Sequence, residues 1–245
     1  MMNVSSTVPE CSALPDDPIV IGATGGSGTR MVRAVLERAG VFMGTIVNET
    51  GDCMLFEPLL DRLVNPVLTA TRSLDYRAAD LPPELLREGV ALYRQAVARH
   101  LAEAPAHARA WGWKNPRSLY LLPIIAAAFP RLRVVHVVRD GRDMALSRNR
   151  LQLAKHYAAL FGEPAPVDDP LAACRLWEAT NRTAADWAGR ELGGRYIRLS
   201  FEDICAAPER AVDHLLGRLG LPRAMAGDAA GAVRPPGSLG RWRAL

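Results

Sequence analysis

Glycines cluster in the segment Ala23-Thr24-Gly25-Gly26-Ser27-Gly28-Thr29-Arg30, which lies between an apolar run that begins at Pro18 and a helical pattern over residues 31–38. A strand that turns through glycines into a helix directs several backbone N–H groups, together with the positive end of the helix, at one point. Glycine allows the positive φ angles and the close approach to oxygen atoms that such a turn needs. The hydroxyls of Ser27 and Thr29 are two further donors. The segment therefore predicts a phosphate-binding loop.

Two common loop patterns fit this segment only in part. The Walker A pattern requires glycine at Ala23 and lysine at Thr29, and both are missing. The dinucleotide-binding pattern requires a third glycine where this chain has Met31. For the glycine loop taken alone, the alternative is a tight strand-to-helix turn that binds no ligand.

A second group of polar residues follows the apolar run 133–138. Arg139 comes directly after this run, and Ser147 follows near the start of the next predicted helix. An arginine and a hydroxyl that converge at a strand end are suited to a second phosphate, since the guanidinium binds anions in a bidentate manner. Two phosphate sites on one sheet indicate a nucleotide with phosphates at both ends of its ribose. The alternative to a phosphate site is that the two arginines and two aspartates within residues 139–143 pair with one another.

The chain alternates strand patterns with helical patterns. Strands are predicted over residues 18–22, 110–114, 133–138 and 196–200, and helices over residues 31–38, 118–128, 141–160, 169–191 and 208–219, with a mainly helical stretch over 52–105. This alternation indicates an α/β fold with a parallel sheet covered by helices on both faces. Ligands bind at the carboxyl ends of such strands, where both polar groups fall.

The composition is that of an ordinary globular protein, with 49% hydrophobic and 23% charged residues among 245. This length suits one large domain, predicted over residues 18–245, after a flexible polar tail over residues 1–17. The formal net charge of +4 is compatible with an anionic ligand and does not itself indicate nucleic acid, so no nucleic-acid partner is predicted.

The cysteines argue against a structural metal site. The four of them, at positions 11, 53, 174 and 205, are far apart and form no zinc-binding spacing, which favours a reducing compartment. The first 18 residues lack the apolar segment of a signal peptide, and no apolar run reaches the length of a membrane helix. These features predict a cytoplasmic protein without a membrane span and without a bound metal.

Together with a third segment, the two polar groups resemble the sulfotransferase family, which uses 3′-phosphoadenosine 5′-phosphosulfate as its sulfuryl donor. Residues 18–40 are similar to the family's 5′-phosphosulfate loop, and residues 134–147 to its 3′-phosphate motif, with the arginine and serine eight positions apart. Residues 196–204 are similar to its late strand and acidic pair. The resemblance extends from residue 18 to about residue 222 and implies a P-loop-like, three-layer α/β/α fold and metal-free sulfuryl transfer.

The resemblance also implies roles for individual residues. Those expected around the 5′-phosphosulfate are Gly25, Gly26, Ser27, Gly28, Thr29 and Arg30, and those expected at the 3′-phosphate are Arg139 and Ser147. Many members have lysine or arginine where this chain has Gly26. Arg30, one helical turn away, or Lys114, at the end of a neighbouring strand pattern, is expected to supply the missing charge.

The acceptor must lose a proton as it attacks, so the site needs a base. A carboxylate base of this family commonly lies in the segment after the first helix, here residues 48–58. Glu57 lies in a Phe-Glu-Pro sequence similar to one in carbohydrate sulfotransferases, and Asp52 and Glu49 lie in the same segment. Glu57 and Asp52 rank level as the base, with Glu49 behind. A solvated side chain or helix cap is the alternative for each.

Several further residues have a predicted placement. Phe201 is expected against the adenine or else in the core, and Arg241 over the 3′-phosphate or else in a solvated terminus. His136 lies within an apolar strand and is predicted to be a core residue. The remaining histidines are predicted at the surface: His100, His107, His156 and His214.

The primary prediction is an enzyme that moves a sulfuryl group, by in-line displacement, to a hydroxyl or amine of a small-molecule or saccharide acceptor. Two alternatives share the same elements. A P-loop kinase or nucleoside triphosphatase would share the fold, although the Walker lysine is missing. A non-catalytic nucleotide-binding protein would also share it, and Gly26, in place of a cation, is compatible with that alternative.

Overall fold

The fold is given by a computed structural model that describes residues 15–244. Its strands are β1 (Ile19–Ala23), β2 (Val41–Phe42), β3 (Ala110–Lys114), β4 (Arg133–Val138) and β5 (Tyr196–Ser200). Within the described residues they form one parallel sheet in the order β2-β3-β1-β4-β5. In the central strand, Ile21 pairs with Lys114 of β3 and Val135 of β4, so the carboxyl ends of these strands meet at one edge.

Helices connect the strands, and three more α-helices follow β5 within the described residues. They are α1 (Thr29–Arg38), α2 (Glu57–Thr71), α3 (Pro83–Leu101), α4 (Leu122–Ala128), α5 (Gly141–Ala145), α6 (Leu151–Phe161), α7 (Pro170–Leu192), α8 (Phe201–Ala206), α9 (Pro208–Arg218) and α10 (Ala226–Ala230). Within residues 15–244, none is both long enough and apolar enough to cross a membrane.

Two hydrophobic cores lie on opposite faces of the sheet, because successive side chains of a strand point to opposite sides. Val20 and Val134 belong to the core shared with α2, α3, α4, α6 and α7. Ile21 and Val135 belong to the core shared with α1, α9 and α10. The three-layer α/β/α fold predicted from the sequence is therefore confirmed.

The structure differs from the prediction in several local features. The short edge strand β2 was not predicted, since two residues are too few to give a strand pattern. The predicted helix over 141–160 is two helices, α5 and α6, with a break over residues 146–150. The predicted helix over 118–128 starts as a 3₁₀ helix (Pro116–Leu121), and its cap is Asn115, whose side chain accepts from the Arg117 N–H at 3.1 Å.

Part of the predicted N-terminal tail, residues 1–14, lies outside the described residues. The rest is bonded to β4 and the turn before it. The Arg131 N–H donates to the Asp16 carbonyl oxygen at 3.0 Å, and Arg133 Nη2 donates to the Asp17 carbonyl oxygen at 2.8 Å.

Candidate functional site

A cavity of about 700 Å³ opens at the carboxyl ends of the strands. Its wall combines the glycine loop, the loop before α2, the ends of β3 and β4, the start of α8 and the C-terminal segment. The sequence-predicted site residues in this wall are Gly25, Gly26, Gly28, Thr29, Arg30, Asp52, Glu57, Lys114, Arg139, Ser147, Phe201 and Arg241. Ser27 is buried beneath the loop instead. The fold thus collects residues from distant parts of the sequence into one place.

The glycine loop, residues 23–30, turns through two left-handed glycines, with φ of 89° at Gly26 and 85° at Gly28. A residue with a side chain is strained in this left-handed conformation, whereas glycine is not. A Cβ at Gly28 would also lie 2.0 Å from Cε2 of Phe201, so this position has no room for one. Helix α1 begins at the next residue and has no acidic side chain in its first turn. Its free N–H groups and its positive end therefore create an anion-binding geometry at the cavity.

The Ser27 hydroxyl is not directed toward the cavity. It donates to the Thr24 carbonyl oxygen at 2.7 Å and lies 3.1 Å from the Thr24 hydroxyl oxygen, with Ser27 fully buried. The expectation that this hydroxyl adds a donor for a ligand is corrected: it fixes the shape of the turn. Thr24 and Ser27 therefore stabilise the loop from within.

Arg139, directly after β4, is held by a buried aspartate. Its Nη2 and Nε donate to Asp143 Oδ2 at 2.8 and 3.3 Å, and its Nη1 donates to the Gly26 carbonyl oxygen at 3.4 Å. Arg142 pairs with Asp140 at 2.6 Å. The pairing that the sequence left open as an alternative is therefore present. Arg139 nevertheless lines the cavity, so Asp143 orients its guanidinium at the cavity wall.

Ser147 and Phe201 flank the glycine loop. A Cβ built on Gly26 would lie 3.8 Å from Ser147 Oγ, so the serine lies close to the loop. Ser147 follows α5 and lies in the break before α6, rather than near the start of a helix as expected. The Phe201 ring packs beneath Gly28, only 1% exposed, with the Arg139 guanidinium 4.9 Å from its centre. Phe201 is thus mainly a core residue that also lines the cavity.

The C-terminal segment over residues 238–242 is tied to Asp143. The N–H groups of Gly240 and Trp242 donate to the two oxygens of Asp143 at 2.8 and 3.4 Å. Burial acts to raise the pKa of Asp143, but the bonds from Arg139, Gly240 and Trp242 outweigh it, and the pKa is lowered. The carboxylate therefore stays charged and joins Arg139 to the C-terminal segment.

Arg241 lies in the same segment and lines the cavity. Its Nε donates to the Ser238 carbonyl oxygen at 3.3 Å and its Nη1 to the Leu146 carbonyl oxygen at 3.4 Å. Beside it, the Arg142 guanidinium lies 3.4 Å from the centre of the Trp242 ring, a cation–π contact. These contacts place the basic end of the described chain next to Arg139.

Lys114, at the end of β3, forms an ion pair with Asp52. Its Nζ also donates to the Thr50 carbonyl oxygen at 2.8 Å, and the lysine is 1% exposed. Burial lowers the pKa of Lys114, while the Asp52 carboxylate opposes this effect. The other Asp52 oxygen accepts from the Thr50 hydroxyl at 2.9 Å. A cation and a carboxylate are thus held together in the cavity wall.

The other two charged candidates have different surroundings. Arg30 is exposed, and its Nη1 donates to the Glu49 carbonyl oxygen at 3.3 Å. Glu57, the first residue of α2, accepts from Asn115 Nδ2 at 2.9 Å and from Arg117 Nη1 at 2.8 Å. Both Glu57 oxygens are therefore engaged by residues that follow β3.

Three histidines are buried and neutral. His136 lies between the Tyr196 hydroxyl and the Asn181 side chain, each at 2.9 Å, as expected of a core residue. The surface placement predicted for His100 and His156 is wrong, since each packs in the aromatic core. Burial lowers the pKa of His100 and His136 to about 4 and that of His156 to about 3.

Sequence reasoning gave no role to several residues in the cavity wall. They are Asn48, Thr50, Asn115, Arg117, Asn149, Gln152 and Lys155. A usable signal existed for Asn115 and Arg117, because they lie within three residues of the carboxyl end of β3, at the ligand edge of the sheet. The others lie in loops or on α6 and have no spacing that marks them. Within residues 15–244, no cluster of His, Cys, Asp and Glu is suited to a metal ion.

Comparison with known proteins gives one consistent family. The model of the sulfotransferase family matches residues 18–225. No curated protein matches the chain significantly.

Solved structures share the fold at low sequence identity. A sulfotransferase domain from the curacin biosynthetic pathway has a TM-score of 0.56 and 16% identity, covering 91% of this chain and 84% of that one. The sulfotransferase domain of the Synechococcus PCC 7002 olefin synthase has a TM-score of 0.52 and 19% identity, covering 94% and 88%. A sulfotransferase from Alicyclobacillus acidocaldarius has a TM-score of 0.50 and 17% identity, covering 86% and 83%.

Proposed function

This chain belongs to the sulfotransferase family, and from that membership we propose that it moves a sulfuryl group from 3′-phosphoadenosine 5′-phosphosulfate to a hydroxyl or amine. In this reaction the bond between sulfur and the bridging oxygen of the donor breaks, and a bond forms between sulfur and the acceptor atom. The acceptor proton passes to a carboxylate, and adenosine 3′,5′-bisphosphate leaves. Family membership supports sulfuryl transfer; the donor and the residue roles are inferred from the cavity.

The charge of the cavity supports a donor with several anionic groups. Its cationic side chains are Arg30, Lys114, Arg117, Arg139, Lys155, Arg234 and Arg241, against the carboxylates Asp52 and Glu57. A cavity lining with this excess of positive charge concentrates an anionic ligand and stabilises its bound form. The volume, about 700 Å³, is in the range of nucleotide-sized ligands.

The two ends of the donor fit two parts of the wall. The backbone N–H groups at the start of α1 suit the 5′-phosphosulfate, because the left-handed backbone at Gly26 and Gly28 lets anionic oxygens approach closely. Arg139, oriented by Asp143 and flanked by Ser147, suits the 3′-phosphate. Arg241 would add charge at that end.

Charge stabilisation during transfer is assigned to Lys114, with Arg30 in support. Gly26 supplies no cation to the sulfuryl group, and Lys114 is a buried cation in the same cavity wall that is paired with a candidate base. A charge fixed in a site sheltered from water stabilises developing negative charge more strongly than an exposed one. The exposed Arg30 carries less of this role for the same reason.

The ion pair of Lys114 with Asp52 is the observation that favours Asp52 as the base. The sulfuryl group must meet the cation and the acceptor must meet the base, so the two side chains have to lie near each other. Asp52 fulfils this condition through its ion pair with Lys114, whereas Glu57 is bonded to Asn115 and Arg117 instead. Asp52 Oδ1, which pairs with Lys114, retains a second lone-pair site for the acceptor proton, whereas Oδ2 accepts from the Thr50 hydroxyl and from Asn48 Nδ2.

The acceptor class and the location remain part of the proposal. We expect a small-molecule or saccharide acceptor and a cytoplasmic, reducing setting, in line with the free cysteines Cys53, Cys174 and Cys205.

The proposal is tested by incubating the protein with ³⁵S-labelled donor and a panel of phenols, alkyl alcohols, amines and saccharides. We expect labelled product and adenosine 3′,5′-bisphosphate in equal amounts with at least one acceptor. Bisphosphate binding without transfer to any acceptor would favour a non-catalytic nucleotide-binding protein.

A further inference from the structure

Arg33 of α1 is a buried arginine, 7% exposed, that does not line the cavity. Its Nη1 donates to the Gly51 carbonyl oxygen at 2.8 Å and its Nη2 to the Gly44 carbonyl oxygen at 2.7 Å. Nε and Nη2 also donate to Glu37 Oε1 at 3.0 and 2.7 Å. One guanidinium thus joins the helix after the glycine loop to both ends of the segment 44–51.

The backbone of this segment is shaped for these bonds. Gly44 and Gly51 have φ of 87° and 77°, in the left-handed region that favours glycine. A Cβ at Gly44 would lie 2.7 Å from Cε1 of the buried His100. The two carbonyl groups that Arg33 binds are therefore presented by turns that other residues would strain.

The same segment and the residue after it carry both hydrogen-bond partners of the Lys114 ammonium. These are the Thr50 carbonyl oxygen and the Asp52 carboxylate. Within the turn, Asn48 Oδ1 accepts from the N–H groups of Thr50 and Asp52 at 3.0 and 2.9 Å. Residues 48–52 thus behave as one small unit, and Gly51, within this unit, is bonded to Arg33.

Lysine cannot reproduce this arrangement. The guanidinium presents a rigid, planar set of donors, which here reach two carbonyl groups and a carboxylate in three directions. The ammonium of lysine is a compact charge on a flexible chain, so it would retain the charge and lose the simultaneous contacts.

We propose that Arg33 is a positioning residue that sets the location of Asp52 relative to Lys114, and so couples the helix of the donor-binding loop to the base. This inference rests on the proposed function, because it assigns Arg33 a role through the proposed base. Arg33 itself touches neither donor nor acceptor in this account.

The test is a double-mutant cycle of R33K with D52N in the full-length protein, with R38K as the matched control. Arg38 lies on the same helix and also donates to a backbone carbonyl oxygen, that of Asp228 at 3.1 Å, but it is exposed. We expect R33K to lower kcat by about 10- to 100-fold, since small displacements in an active site have effects of this size. The calorimetric Kd for adenosine 3′,5′-bisphosphate should stay within about twofold, and R38K should change neither quantity.

In the D52N background, R33K should change kcat by less than about twofold, because the group it positions is already disabled. An equal loss of kcat in both backgrounds, or none in either, would overturn the inference. If R33K does not fold, E37Q replaces it: this variant weakens one of the contacts of Arg33, and its several-fold loss of kcat should likewise vanish with D52N. An inactive wild type would instead count against the proposed function.

Discussion

Lys114 and Asp52 are joined by an ion pair in the wall of the cavity, and the lysine is almost completely buried there. The pair links the end of β3 to the loop before α2, two elements that are far apart in the sequence. It brings a cation and a carboxylate to one place beside the glycine loop, which itself has no basic residue at Gly26. In the proposed reaction these two side chains act together.

Replacing Lys114 should impair catalysis more than it impairs donor binding. We expect K114M to lower kcat by about 100-fold or more, the size found when one preorganised charge-stabilising group is lost. R30A should have a smaller effect, because Arg30 is exposed to water. Steady-state kinetics with saturating donor measure both. Full activity in both variants would rule out this account of charge stabilisation.

The alkaline side of the pH profile provides a second readout of Lys114. Its pKa is lowered, chiefly by burial, so the ammonium loses its proton at a lower pH than an ordinary lysine. Activity that needs the charged form should therefore fall as the pH rises through this lowered value. In K114R the decline should shift to higher pH, because arginine stays protonated. An unchanged alkaline decline in K114R would assign it to another group.

The two carboxylates should respond differently to neutralisation. D52N is expected to lower kcat by about 100-fold or more, since general-base catalysis contributes about 10²- to 10⁴-fold. E57Q should mainly affect stability, because Glu57 binds Asn115 and Arg117. The measurement pairs kcat with urea denaturation for each variant. The opposite pattern would transfer the role of base to Glu57.

A side chain at Gly28 should destabilise the protein. G28A adds a Cβ about 2.0 Å from the Phe201 ring and forces alanine to adopt a φ of 85°. We expect a loss of about 2 kcal/mol or more in the free energy of unfolding. The matched control is G189A within α7, where a Cβ meets nothing within 4 Å. That change should be neutral or stabilising by up to about 1 kcal/mol. Equal effects of the two variants would contradict the packing described for the loop.

Stability should fall in mild acid because of the three buried histidines. Their pKa values in the folded protein, about 4 for His100 and His136 and about 3 for His156, lie below the usual 6.5. The unfolded chain therefore binds more protons between pH 6.5 and 4, and stability decreases as the pH falls through this range, by up to about 3 kcal/mol per histidine.

Urea denaturation at pH 7.5, 6 and 5 measures this decrease. H156Q should reduce its slope by about a third, whereas H214Q should leave it unchanged, since His214 is exposed. Stability that does not change between pH 7.5 and 5 would contradict the burial of these histidines.

Most of the sheet could be predicted from the sequence, because β1 and β4 are continuous apolar runs that need both faces covered. The glycine loop and Arg139 were identifiable for a related reason: each directly follows such a strand. Edge strand β2 is too short to give a pattern. The break over residues 146–150 was also missed, because it contains neither proline nor glycine.

The hydrogen-bond and ion-pair partners of the site residues could not be predicted in the same way. The contacts of Lys114 with Asp52 and of Arg33 with the segment 44–51 join residues whose separation in the sequence gives no periodic signal. The burial of His156 depends on neighbours from other elements, namely Asn65 and Tyr120. The Ser27 hydroxyl turns inward to Thr24 of its own loop, a choice that residue type and spacing do not indicate. Residue types at strand ends predict where a site lies, whereas the hydrogen-bond network depends on the tertiary fold.

The central claim is that the cavity binds a nucleotide with phosphates at both ends of its ribose, and calorimetric titration tests it most directly. Without magnesium, adenosine 3′,5′-bisphosphate should bind at least about tenfold more tightly than adenosine 5′-monophosphate. R139M should remove most of this difference, because it removes the buried cation proposed for the 3′-phosphate. Tighter binding of ATP with magnesium, or equal affinity for the mono- and bisphosphate, would contradict the account and favour a kinase-like or different nucleotide-binding function.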